Sequence, residues 1–516
     1  MKKILLYTVV ALLFSGSAFV SCTGDFEEYN KNPETPAKGE TAPITLLENL
    51  IYSGAKELQH RSWQCHSELM QYTVDIGNST RYHVYTFPAS IYESLWKNFF
   101  GFASNAEEIV QLARKYDEPN MEAIGLTLKA MYFSIISDMY GDIPFTEALR
   151  IDEGITQPKM DRQKDIYEAL IQMLLDANAL YNTTKDGDGA YAEPLLVPAK
   201  DLLYGGDIAA WQKFTNSLNL RLCLRLSNRP EAIGLETLRK IVESPGVYPI
   251  FGSVADDAKI AYTGVAPFRG PFGGMTDGAF TSSSHKCSER FVDQIYSTYD
   301  PRRLRWTRQS GDDIKGVQRG YKYPDGNSAV ILNVSVLKPY EAPAWYMTAS
   351  EVKFILAEAA HAGYIGGGET AAQNYYEEAV IASLRQWIPE ISAADIDKFI
   401  HGADSKVAYD GTLERIIDQK WVSLFMQGFE SWCDYRRTGF PRLVLGPDAA
   451  NANGGMMPTR MLYGQTTTST NRPNYEAVVA YMRDTYPVVS MGATGGDNMM
   501  TPVWWSKRAV ELNPGQ

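Results

Sequence analysis

Two stretches of the 516-residue chain set aromatic rings beside hydrogen-bonding side chains, outside any run of helical apolar periodicity. The first holds Tyr72, Asp75, Asn78, Arg81, Tyr82, His83 and Tyr85. The second holds Phe268, Arg269, Phe272 and Asp277, with Trp306 and Tyr321 downstream. Sugar rings lay their C–H faces on aromatic planes while their hydroxyls exchange hydrogen bonds with Asp, Asn, Arg and Gln. Peptides use similar surfaces with more backbone pairing. The candidate ligand contacts are therefore Tyr72, Asp75, Arg81, Tyr82, Tyr85, Phe268, Phe272, Asp277, Trp306 and Tyr321. For each ring the competing assignment is packing, since most large aromatic side chains are buried.

Other chemistries find little support. The five cysteines contain no CxxC pair, and six scattered histidines form no HExxH motif, so no metal and no cofactor is expected. No nucleophile elbow or phosphate loop is present. Sixty-one acidic residues always supply a carboxyl pair of the kind glycoside hydrolysis needs, so such a pair decides nothing and no enzyme is expected. The net charge, 49 − 61 = −12, argues against nucleic acid, whose binding depends on Lys and Arg neutralising phosphates. Cys65, Cys223, Cys287 and Cys433 are expected as mostly free thiols; Cys223 lies within an apolar helical run from Leu218 to Leu224.

The amino end addresses the protein. Lys2 and Lys3, an apolar run from Ile4 to Phe14 and the small residues Ser15 to Ala18 have the order of a secretory signal. Eleven apolar residues fall well short of the roughly 20 that span a bilayer. The segment closes on Phe19-Val20-Ser21-Cys22, which resembles a lipobox, although Phe19 and Ser21 depart from its usual Leu and Gly or Ala. The expected organisation is a signal over 1–21, a lipid anchor on Cys22 with a polar stalk over 22–40, and one domain over 41–516. Stable anchoring takes more than one acyl chain.

Helical periodicity dominates the body that must hold the candidate rings. Apolar residues recur at three- and four-residue spacing over 91–115, 121–140, 162–181, 209–227, 352–362 and 412–436. Gly141 with Pro144 stops the second, and Thr348-Ala349-Ser350-Glu351 is a capping box opening the fifth. Over 245–345 and 440–506, Gly, Pro, Asn and aromatic residues crowd together and periodicity fades. Those stretches are expected as irregular, working surface. The fold expected is mostly α, with helices pairing in sequence in a tetratricopeptide-like manner although no 34-residue register is found.

Several segments together resemble one family. They are the lipobox, Tyr140-Gly141-Asp142-Ile143-Pro144, Trp211-Gln212-Lys213-Phe214, Glu351-Val352-Lys353-Phe354 through Ala359, and Gln427-Gly428-Phe429-Glu430-Ser431-Trp432 through Gly439. Their order over nearly the whole mature chain is similar to the SusD/RagB family of outer-membrane nutrient-binding lipoproteins of Bacteroidetes. Asp25, Glu27 and Glu28 resemble the acidic surface-export signal of that group. The resemblance implies a tetratricopeptide-like helical scaffold with a loop-borne ligand surface and a cell-surface location. It implies an oligosaccharide ligand, or an oligopeptide, delivered to a SusC-like TonB-dependent transporter. The motif residues themselves are expected to be structural: Arg436 and Arg437 follow a helix end, and Arg221 and Arg225, one turn apart, need carboxylate partners.

Overall fold

Repeating apolar residues at helical spacing wind most of the chain into helices, in a computed structural model that describes residues 42–76, 82–272, 285–309, 314–321, 330–489 and 495–513. The principal helices are α1 Pro43–Arg61, α2 Ala89–Tyr116, α3 Pro119–Tyr140, α4 Gln163–Leu180, α5 Ile208–Arg225, α6 Gly234–Glu243 and α7 Glu289–Ser297. After them come α8 Ala349–His361, α9 Gly368–Trp387, α10 Ala393–His401, α11 Leu413–Ser423, α12 Gly428–Thr438 and α13 Arg472–Thr485. Short strands β1 Thr73–Asp75, β2 Ala258–Ile260, β3 His285–Cys287, β4 Thr307–Gln309, β5 Val330–Leu332 and β6 Ala344–Met347 form antiparallel pairs β1–β3, β2–β6 and β4–β5.

Consecutive helices pack on one another from α2 through α6, and α8 packs on α9, α11 and α5. This is the tetratricopeptide-like arrangement the sequence pattern anticipates. α2 turns Leu95, Phe99, Ala103, Ala106 and Ile109 inward along one stripe, whereas α3 is buried nearly all round. A helix apolar on every side must be covered on every side, and α3 is flanked by α2, α4 and α5. It stops at Gly141, whose φ of +84° suits glycine. Thr348 caps α8 by accepting from the Glu351 N–H at 3.2 Å.

Where α5, α8, α11 and α12 meet, the motif residues form a buried ionic network. Arg221 grips Glu351 through two bonds of 2.7 and 2.6 Å. Arg225 bonds Glu430 at 2.6 Å and lies 3.5 Å from Asp138. Arg437 joins Glu358 and, at 2.9 Å, Asp434, which also holds Lys420 at 2.7 Å. Burial alone would raise the Asp434 carboxyl; Lys420 and Arg437 instead hold it well below the usual range. Arg436 donates to the Asp138 and Thr459 carbonyls and lies 3.5 Å from the Trp432 ring. The structural assignment of these residues is borne out. So are the free thiols, since Cys65, Cys223, Cys287 and Cys433 are all buried and unbridged.

Two expectations need correction. The run over 412–436 is broken, because Leu424–Gln427 turn through Met426 at φ +74° between α11 and α12. Gly428 then lies so close to the His66 backbone that a Cβ would stand 2.7 Å from it, which rules out a straight continuation with any larger residue there. The stretch 440–506 is not wholly irregular: it contains α13, whose polar outer face masks its period. Residues Pro43–Gln516 form one compact unit; the preceding unit, Met1–Ala42, and with it Cys22, lies outside the described residues except for Ala42.

Candidate functional site

The two ring-bearing stretches meet along α1 and its continuation. β1 pairs with β3 so that Asp75 faces His285 and Thr73 faces Cys287. The strip 314–321 joins them: Val317 N–H donates to Cys287 O, and Glu289 N–H to Val317 O, both at 2.9 Å. From that strip the Gly320 N–H donates to His83 Nδ1 at 3.2 Å, and the His83 N–H donates to Glu68 Oε2 at 3.0 Å. Gly320, at φ +73°, also presses on the Gly446 backbone, where a Cβ would stand 2.5 Å away. Strand pairing thus gathers residues more than two hundred positions apart into one rim.

Tyr52 of α1 and Trp63 just beyond it are the posts on which the second stretch hangs. Tyr52 donates to Pro267 O at 2.8 Å and its ring meets Phe268 edge-on at 5.7 Å. Arg269 lies over the Tyr340 ring at 5.8 Å. Phe272 and His285 both pack on Trp63, at 6.0 and 5.6 Å. Eleven residues separate the posts, about 16 Å at 1.5 Å per residue. Trp63 is fully buried, so of the two posts only Tyr52 reaches solvent.

The candidates divide by exposure. Tyr72, Phe272 and Trp306 have 0% exposure. Tyr72 stacks on Trp421 at 4.8 Å and donates to its carbonyl, and Trp306 sits among Phe291, Trp387 and Phe425. With no accessible ring face, these three are foundations rather than ligand platforms, which corrects their assignment as contacts. Tyr82 and Tyr85 are almost buried, and burial pushes both phenols up. Asp75 is buried facing the rim, Phe268 is half-buried and Tyr321 is exposed. Arg81 and Asp277, like Asn78, lie outside the described residues.

Sequence reading missed Tyr52, Tyr340, Glu68 and His285. Tyr52 falls in a helical run, and an exposed ring on a helix has no signature distinct from a core one. Glu68, Asp75 and His285, all buried, place carboxylate and imidazole donor atoms within 4.8 Å of one another. That mixed oxygen and nitrogen set is of a kind divalent metals accept. Motif searching could not find it, because three separate segments contribute one donor each.

A family model described as starch-binding, associating with outer membrane, matches residues 33–464. Among solved structures the fold is similar to a chitin-binding protein at 23% identity and TM-score 0.74, covering 90% of this chain and 99% of that one. It is similar to a SusD homologue from Bacteroides uniformis at 21% identity and TM-score 0.72, covering 92% and 100%. It is also similar to a chitin-binding SusD homologue from Flavobacterium johnsoniae at 21% identity and TM-score 0.71, covering 90% and 97%. No curated protein sequence matches the chain.

Proposed function

Because the chain belongs to the SusD-like family of outer-membrane-associated proteins, we propose that it is a cell-surface lipoprotein that captures an oligosaccharide and passes it to a SusC-like TonB-dependent transporter. The observation that carries this reading is the surface group of Tyr52, Phe268, Arg269 and Tyr340. It consists of half-buried or exposed rings beside a guanidinium, gathered on Tyr52 of α1, whose other face is locked into the core. Rings of this kind offer stacking faces to sugars, and several weak contacts permit the release that transport needs. Tyr321, exposed on the 314–321 strip, extends the surface around the rim; Arg81 and Asp277 lie outside the described residues. The chitin-binding character of two structures with this fold supports a glycan over a peptide. The protein binds without turning its ligand over.

No described helix is long and apolar enough to cross a membrane, and the tether in this reading is acylated Cys22. Calorimetry of purified protein against oligosaccharides and against a peptide mixture tests the ligand class. Saccharide binding weakened by Phe268→Ala is the expected result, and peptide binding without saccharide binding overturns it. Cys22→Ser should release the protein from the membrane fraction; retention at the surface would refute the tether.

A further inference from the structure

Away from the rim, the cleft between the end of α7 and the segment 388–405 is built as a site. Its cavity measures about 990 Å³ and is lined by Tyr299, Arg303, Glu390, Asp395, Lys398 and Asp404 among others. A second cavity of about 530 Å³ adjoins it, and Tyr299 and Arg303 line both. Known ligand sites occupy about 300–1,000 Å³, so the pair makes a groove with one ring and one guanidinium at its middle.

Tyr299 is held there against its own preference. Its φ of +53° places a bulky residue in the left-handed region, and its ring is 75% exposed, so core packing does not explain the position. Such strain persists only where the surroundings impose it. Here they do. Next in the chain, Asp300 is fully buried and bonded to Arg302 at 2.6 Å, and Arg302 also donates to Ser383 Oγ on α9 at 2.6 Å. Arg303 donates to the Tyr299 and Asp300 carbonyls at 2.9 and 2.8 Å, closing the turn. Lys406 ties the far wall to the near one by donating to Ser297 O at 3.0 Å. Both walls are therefore fixed before any ligand arrives. Between them, the Lys398 and Asp404 side chains have no partner among the described residues.

We infer that this groove is a second glycan-binding site, in which a sugar ring stacks on Tyr299 while hydroxyls bond Arg303, Lys398 and Asp404. The inference rests on the saccharide-binding reading above, but none of its proposed ligand contacts is a rim residue. A rigid ring flanked by donors and acceptors of both charges suits a neutral polyhydroxylated chain. The walls of the larger cavity are helix, helix ends and turns, which disfavours there an extended peptide that would add by backbone pairing; Thr307 and Arg308 of β4 line only the smaller cavity.

The test is calorimetry of the purified protein with six hexasaccharides: β-1,4-linked N-acetylglucosamine, glucose, xylose and mannose, β-1,3-linked glucose and α-1,4-linked glucose. Tyr299→Asn removes the ring while Asn tolerates the left-handed backbone, so this variant should keep its Tm. The expected result is a hexasaccharide that loses about tenfold in affinity, or one of two binding sites, in Tyr299→Asn, with Phe268→Ala weakening the other component. If Tyr299→Asn matches wild type toward every hexasaccharide that binds, the groove is not a site and the rim reading stands. Binding of none of the six overturns both. Capture of a tetrapeptide mixture, abolished by Tyr299→Asn, would give the groove to peptides and overturn the inference.

Discussion

The junction of α5, α8, α11 and α12 and the rim along α1 are built from similar residue types and put them to opposite uses. At the junction, Arg221, Arg225, Arg437 and Lys420 are each matched by carboxylates and sealed from water. Around Tyr52 and Tyr340 and in the groove, rings and charges reach solvent. The difference shows where family likeness resides. Removing one partner of a buried pair is far more costly than altering an exposed ring. The motifs that make this chain recognisable are therefore those that hold its helices together, and they say little about the ligand.

The comparison is open to test, and the largest effect should come from the junction. Arg437→Ala leaves Glu358 and Asp434 as buried charges short of a partner. It should cost about 3–5 kcal/mol, seen in chemical denaturation as a lower midpoint or as insoluble protein. A stable Arg437→Ala protein would mean that the network is ornamental. Trp306→Ala should come close, at about 3–5 kcal/mol for emptying a buried aromatic site. If its glycan affinity falls while the folded fraction holds, Trp306 belongs to the ligand surface after all.

A pH dependence sharpens the contrast within the scaffold. Asp257 is buried beside the start of α8, and burial pushes its carboxyl up to about 7, although the Ala349 N–H bond at 2.7 Å works against this. The folded pKa lies above the unfolded value of about 3.9, so the folded state holds the proton more tightly. Its contribution is complete below the unfolded pKa and is lost progressively as pH rises from there through 7. Asp257→Asn, which keeps the acceptor, should raise stability at pH 8 by up to about 4 kcal/mol and change little at pH 4. Equal effects at both pH values would show that Asp257 titrates normally. The smallest effect belongs to the rim: Phe268→Ala should weaken oligosaccharide binding about two- to tenfold, the worth of one ring contact at 0.5–1.5 kcal/mol. It should leave the thermal midpoint nearly unchanged. A collapse of stability instead would place Phe268 with the core rings.

Helical periodicity made most of the scaffold legible, because burial on one side of a helix writes itself at three- and four-residue spacing. α2, α3, α4, α5 and α8 lie within a few residues of their expected bounds. α12 is not separate in the sequence pattern, since the turn before it, Leu424–Gln427 with Met426 at φ +74°, contains neither Gly nor Pro. α1 has a regular stripe in Ile44, Leu47, Ile51, Ala55 and Leu58 that the expected helical stretches omit, whereas α13 buries only Val478, Met482 and Thr485 and has little period to show. Of the candidate site, the two stretches were legible as unusual composition and the β1–β3 pairing does join them. Which rings face outward was not legible, because Trp306 and Tyr299 differ in burial while lying seven residues apart.

The backbone bond from Gly320 to His83 has a chemical consequence for the rim. A nitrogen that accepts from an N–H carries no proton of its own, so the imidazole is held as the Nε2–H tautomer. A proton on Nδ1 would break this one link between the 314–321 strip and the turn below it, while the Val317 bonds to Cys287 and Glu289 still held the strip. Nitrogen-15 shifts of that ring would register the change; a ring found as the Nδ1–H form at neutral pH would show that the hook is not there.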